Sequence, residues 1–462
     1  MFNARPFTRL HIRLLDPTCR NRHDFRRCFD RRSVSQGLCL LVAAIAFATS
    51  ASVAAASDWP HWRGPAVTGV SPDADPPMRW SESENVKWKV EIPGGGHASP
   101  VVWRDRVYLQ TAVPIDPDSD ESPLRFEVLA IDRGTGKFVW RKAACEEIPH
   151  EGHHADASFA SASPVVDGNH VIASFGSRGI FAYSLDGELA WKKDLGDMRT
   201  RRGFGEGASP AVHEDTVVIN WDHEGDSFIV ALDKLTGKEK WRRDRNEKTS
   251  WATPLIIPYL EGKAGARERM QVIVPATNRV VAYDLADGET IWECGGLGVN
   301  CIPTPVAMED LVVVMSGYRE RALLAIRHAG AKGDISNSDA VRWKLDNGTS
   351  YVPSPVLVKD RIYFLDRSNP RLSCHDVRTG KEHFGRTPLE ELVGVYASPV
   401  AAGDRIYIFD RGGTGLVIEA GTELNVLARN KLDQGFAASP ALAGNELFVR
   451  GYSHLYCLSK KP

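Results

Sequence analysis

The sequence predicts an all-β protein, an eight-bladed β-propeller of four-stranded antiparallel blades, closed by an N-terminal strand that completes the last blade. Three observations predict it. A small residue, then Ser or Thr, then Pro, then an apolar run recurs eight times. A second pattern, Ala-x-Asp-x-x-Thr-Gly-x-x-x-Trp, recurs in phase with the first. The last repeat stops one strand short, and a matching strand stands near the start. Evenly spaced short strands with a motif in each unit are the mark of a propeller.

Residues 1–56 read as a signal or targeting segment. Nine arginines and three aspartates lead to the apolar run Leu38–Ala48 and then to small residues ending at Ala56. Basic, apolar and small residues in that order are a secretory address. The apolar run is shorter than the roughly 20 residues that span a bilayer. Loss of 1–56 moves the net charge from −2 to −8. The expectation is an exported protein of the periplasm or cell envelope, with no transmembrane span in the mature chain. The acidic balance excludes a nucleic-acid-coating role. With 43% hydrophobic and 25% charged residues the chain is neither disordered nor a multi-span membrane protein.

Residues 57–84 are expected to be an extension packing on the propeller, and 85–462 to be the propeller itself. The eight steps are Ser99-Pro100, Ser163-Pro164, Ser209-Pro210, Thr253-Pro254, Thr304-Pro305, Ser354-Pro355, Ser398-Pro399 and Ser439-Pro440. They are 41 to 64 residues apart, and each is assigned to an outer strand. In the second pattern, Gly supplies the positive φ of a tight hairpin, and Asp bonds the turn backbone through its side chain. Copies stand at Asp132/Thr135/Gly136/Trp140 and Asp233/Thr236/Gly237/Trp241. The copy from Ala325 to Trp343 carries an insertion and has lost its Thr-Gly. Asn85–Val90 carries Trp88 and supplies the strand that the last repeat lacks, which leaves no open sheet edge.

Six of the twelve tryptophans, Trp88, Trp140, Trp191, Trp241, Trp292 and Trp343, occupy one repeat position. A residue repeated at one phase is architectural, so each is read as docking neighbouring blades on the outside of the ring.

These residues resemble the quinoprotein-type (PQQ-like) β-propeller repeat family. The resemblance covers nearly all of residues 80–460. It implies two functional branches. One comprises dehydrogenases of alcohols or sugars that use pyrroloquinoline quinone with calcium. The other comprises non-enzymatic exported propellers like BamB. Parts that the enzymes would require are not found. There is no adjacent cysteine pair, no carboxylate and Asn segment matching the calcium motif, and no Cys-x-x-Cys-His haem site. The sequence therefore favours no catalytic residue, no metal and no cofactor, and a scaffold that binds a protein partner in the envelope. A carbohydrate-binding module is a third reading.

Residues just before each Ser/Thr-Pro step are expected at one mouth of the central channel. The candidates for a small ligand, a glycan or an exposed peptide are His97, His153, His154, Trp251, Asn300, Tyr351, Tyr396 and Phe436. His150, His153, His154 and Asp156 form the densest ligand-like cluster, but adjacent His153 and His154 point apart on an extended chain. Asp222, His223, Glu224 and Asp226 read as a solvated loop. Cys294 and Cys301 are close enough in sequence to pair, or to be two buried thiols. The segment Asp58-Trp59-Pro60-His61-Trp62-Arg63-Gly64-Pro65 lies outside the repeat and resembles the opening of exported quinoprotein-like propellers.

Overall fold

The computed structural model describes residues 58–119, 122–260, 268–366 and 370–460; the predicted leader lies outside them. Eight sheets follow one another along the chain. Blade 1 runs from Val101 to Glu147, blade 2 from Val165 to Lys193, blade 3 from Ala211 to Arg245 and blade 4 from Leu255 to Gly295. Blade 5 spans Val306–Leu345, blade 6 Val356–Pro388 and blade 7 Val400–Lys431. Blade 8 takes three strands from Ala441–Ser459, and its fourth is Val86–Glu91, antiparallel to His454–Ser459 with Trp88 opposite Cys457. The N-terminal strand thus closes the ring as the sequence predicts.

The Ser/Thr-Pro strands lie at the centre, not at the rim where the sequence reading put them. The first strands Val356–Val358, Val400–Ala402 and Ala441–Ala443 are buried along their whole length, whereas the fourth strand of blade 1, Phe138–Glu147, alternates half-buried and exposed. The reason is a girdle of hydrogen bonds around the axis. The Ser99 N–H donates to Ser163 Oγ at 2.8 Å, Ser163 N–H to Ser209 Oγ at 2.9 Å and Ser209 N–H to Thr253 Oγ1 at 3.2 Å. Thr304 N–H donates to Ser354 Oγ, Ser354 to Ser398, Ser398 to Ser439 and Ser439 back to Ser99, at 2.9 to 3.0 Å. Proline follows because the backbone there needs no further N–H donor.

The Trp position binds blade to blade. The indole N–H of Trp88 donates to Arg133 O in blade 1, Trp140 to Leu185 O, Trp191 to Lys234 O, Trp241 to Leu285 O and Trp343 to Val377 O, at 2.7 to 2.9 Å. Each indole also lies against the turn glycine of the next blade. A Cβ on Gly136, Gly187, Gly237, Gly288 or Gly380 would fall 2.6 to 2.9 Å from the ring or its neighbours. Trp292 departs from this because blade 5 has lost its Thr-Gly. Its N–H turns to Gln271 Oε1 at 2.9 Å, and the insertion of blade 5 adds strand Gly333–Asp334 beside it, leaving Trp292 fully buried.

All five cysteines among the described residues are free, Cys294 and Cys301 included. The Asp222 loop is not solvated. Asp222 holds Arg245 through Nε at 2.7 Å and Nη2 at 3.0 Å, both side chains buried, with the Ser250 hydroxyl as a third donor. No helix among the described residues is long and apolar enough to cross a membrane.

Candidate functional site

Within each blade the first strand runs away from the mouth and the second returns. The mouth is therefore built from second-to-third-strand turns and from the links between blades, while the Thr-Gly turns lie on the opposite face. A cavity of about 370 Å³ opens there along the axis. Its walls carry Phe204, Trp251, Tyr318, Tyr351 and Tyr396, with His97 and His154. The girdle supplies Ser99, Ser163, Ser209, Thr253, Ser398 and Ser439, and Trp62 also lines the space.

Trp62 belongs to the segment left outside the repeat, and that segment crosses the axis. Trp59 pairs with Val102 in blade 1, and Val166 N–H of blade 2 donates to Pro60 O at 2.9 Å. Arg63 then reaches the far side, donating to Pro399 O of blade 7 at 2.8 Å and Pro355 O of blade 6 at 2.5 Å. All these partners follow the Ser/Thr step, so the segment floors the channel at the end away from the mouth. Gly64 and Gly69 lie against Trp59 and Arg63 with φ of +77° and +79°, where a Cβ would meet either side chain below 3 Å. Among the described residues Arg63 has no carboxylate partner, and burial lowers its guanidinium to about 9.

The two carboxylates of the cup lining, Asp156 and Glu206, are each held by protein donors. A loop of residues 148–160, between blades 1 and 2, reaches to blade 7. Asp156 pairs with Arg411 Nη2 at 2.5 Å and accepts from the Tyr396 hydroxyl at 2.9 Å, and Arg411 lies 4.7 Å over the Tyr396 ring. Burial opposes ionisation of Asp156, but Tyr396 and Arg411 bring its carboxyl below the usual range. Glu206 accepts from the Ser177 N–H at 2.6 Å and from its hydroxyl; burial outweighs these bonds and raises its carboxyl. Burial, followed by the Arg450 guanidinium, pushes His97 down to about 4, so it is neutral near pH 7.

Of the eight mouth candidates, His97, His154, Trp251, Tyr351 and Tyr396 line the cavity. His153, Asn300 and Phe436 do not. His153 packs edge-on against Phe159 at 4.5 Å while His154 meets Phe204 at 5.2 Å, the divergence expected of adjacent residues. Phe436 is fully buried between Phe409 and Tyr456. Asn300 is fully buried at a φ of +58°, a conformation asparagine tolerates better than most residues. Nor does the histidine cluster converge. His150 Nε2 bonds Met198 O at 2.5 Å, and its ligand-type neighbours are Glu151 and Glu206. Those two carboxylates are occupied by Thr200 and Ser177. Sequence reasoning missed Tyr318, Arg411 and Trp62. The first two follow the second strand of their blades, a position without a repeated motif; Trp62 announces itself only by the density of aromatics in a segment outside the repeat.

The donor set does not fit a quinone with calcium. The two carboxylates of the lining, Asp156 and Glu206, are already bonded to protein donors. The lining holds no lysine or arginine for an acidic quinone.

The architecture is that of a closed eight-bladed propeller with an axial cup floored by residues 59–64. The chain belongs to the family described as outer membrane protein assembly factor BamB, whose model matches residues 124–385. A BamB of Yersinia pestis is 23% identical over 255 residues, 52% of this chain and 57% of the relative, so the match spans little more than half of that protein. The crystal structure of BamB from Moraxella catarrhalis superposes with a TM-score of 0.53 at 14% identity, over 80% of this chain and 99% of the other. A europium-containing methanol dehydrogenase superposes with a TM-score of 0.59 at 12% identity, over 86% and 90%. At these identities the two structures share the fold with this chain.

Proposed function

We propose that this chain is an exported, non-enzymatic propeller scaffold that binds a protein partner in the cell envelope and works without a quinone. Family membership, with a model described as an outer membrane protein assembly factor, carries the reading. The engaged carboxylates of the cup support it, since a dehydrogenase needs a free base and a held cofactor. The mouth rim supplies a surface. Val393 is 71% exposed and its N–H donates to Asp410, beside Arg411, while Tyr452 is 43% exposed and its hydroxyl accepts from Arg411 Nε at 3.3 Å. Tyrosine and arginine are both enriched in binding hot spots.

Crosslinking in cells followed by purification tests this reading. The expected result is an envelope protein bound to the chain; recovery of none contradicts it. The second reading, a quinone-dependent dehydrogenase of alcohols or sugars, draws on the likeness to the methanol dehydrogenase fold. Stoichiometric binding of added quinone and calcium, with dye reduction by alcohols, would establish it in place of the first.

A further inference from the structure

We infer that the axial cup is a binding site for an uncharged polyhydroxylated ring, a neutral sugar unit, held by the girdle hydroxyls below and the aromatic walls above. It stands whether or not a protein partner binds at the rim.

The girdle carries the inference. Ser99, Ser163, Ser209, Thr253, Ser398 and Ser439 each accept one backbone N–H through the side-chain oxygen. A hydroxyl has one hydrogen to donate and two lone pairs. Among the described residues none of these six hydroxyls donates to a protein acceptor, so each keeps its hydrogen and a lone pair. All six line the cup. The result is a ring of groups that both donate and accept, and this is the hydrogen-bonding character of a sugar hydroxyl.

Charge and shape narrow the ligand class. Arg411 is held by Asp156, and Arg450 is buried against the carbonyls of Ala98 and Gln110 at 3.1 and 2.8 Å. Among the described residues the cup lining holds no lysine or arginine to meet an anionic ligand, and its two carboxylates are bonded to protein donors. Trp251 is half-buried with its indole N–H fixed on Gly205 O at 2.7 Å, which sets the ring plane on the wall. Tyr318 and Tyr351 lie 5.2 Å apart. Flat aromatic faces suit the C–H faces of a pyranose, leaving its hydroxyls for the girdle. The volume falls within the roughly 300–1,000 Å³ of ordinary ligand pockets. Because the Trp59–Gly64 segment floors the channel, a polymer cannot thread through it; a chain end or a short saccharide enters from the mouth.

Calorimetry on the purified full chain with glucose, maltose, cellobiose and N-acetylglucosamine tests the inference, beside glucuronate and an uncharged tetrapeptide. At least one neutral sugar is expected to bind at one to one. Trp251→Ala and Tyr351→Ala should each weaken it at least tenfold with the thermal transition unmoved, and Tyr351→Phe should retain it. Tighter binding of glucuronate or of the peptide overturns the assignment. So does the absence of sugar binding at 10-fold above millimolar, or binding that both alanine variants leave intact.

Discussion

Glycine in the Thr-Gly turn meets two demands at once. At Gly237 the backbone has φ +67°, and a Cβ would lie 2.7 Å from the Trp191 ring. Gly237→Ala should therefore add a clash to backbone strain and lose about 2–4 kcal/mol. Gly196→Ala, at φ +93° with nothing near, should lose only the backbone part, about 1–2 kcal/mol; urea midpoints distinguish them. The aspartate of the same turn adds a pH dependence. The Thr236 hydroxyl and N–H, at 2.7 and 2.9 Å, hold Asp233 below the usual carboxylate range, and Thr135 does the same for Asp132. A folded-state pKa below the unfolded value of about 3.9 gives stability that is full above that pH and is lost as pH falls through the folded value. The stability gap between wild type and Asp233→Ala should thus be widest near neutrality and shrink below about pH 4, as read from urea melts at each pH.

Among elements, the innermost strands and the axial segment do different work. The girdle joins blades, and it is interrupted between blades 4 and 5, where the Thr304 hydroxyl is buried without a partner. Ser163→Ala should cost about 1–3 kcal/mol by stranding the Ser99 N–H. Thr304→Val, which removes a hydroxyl that bonds nothing, should be neutral or stabilising. Arg63 ties blades 6 and 7 from beneath and also donates to Thr68 O of its own segment, and Arg63→Met should cost about 3 kcal/mol through these three lost bonds from a charged group. Thermal melts read all three. The repeat was legible because Ser, Asp, Thr, Gly and Trp each recur for one contact with the neighbouring blade or turn. The strand order across the blade was not: the Ser/Thr-Pro step reads alike at rim or axis until the hydroxyl-to-backbone bonds place it. Half the cup was equally hidden. Asp156 meets Arg411 across the mouth by a loop that follows no period, and Asn300 and Phe436, though in phase with Tyr351 and Tyr396, turn into the blades.

At the scale of the whole molecule, one short strand closes the ring and the segment before it floors the channel. Strand Val86–Glu91 covers the edge His454–Ser459, which would otherwise stand open to pairing with another chain. A chain beginning at residue 92 should aggregate, whereas one beginning at residue 85 should keep the closed ring with an unfloored channel; size-exclusion chromatography separates the two. The central claim is that the mouth face meets an envelope protein and that no quinone chemistry takes place behind it. Its most direct test is a photo-crosslinker placed at exposed Val393 on the mouth rim or at exposed Leu235 on the opposite face, expressed in the native cell. A single envelope protein captured from Val393 and not from Leu235 is the predicted result; equal capture from both faces, or none from Val393 while the purified chain takes up quinone and calcium and reduces dye with alcohols, would contradict it.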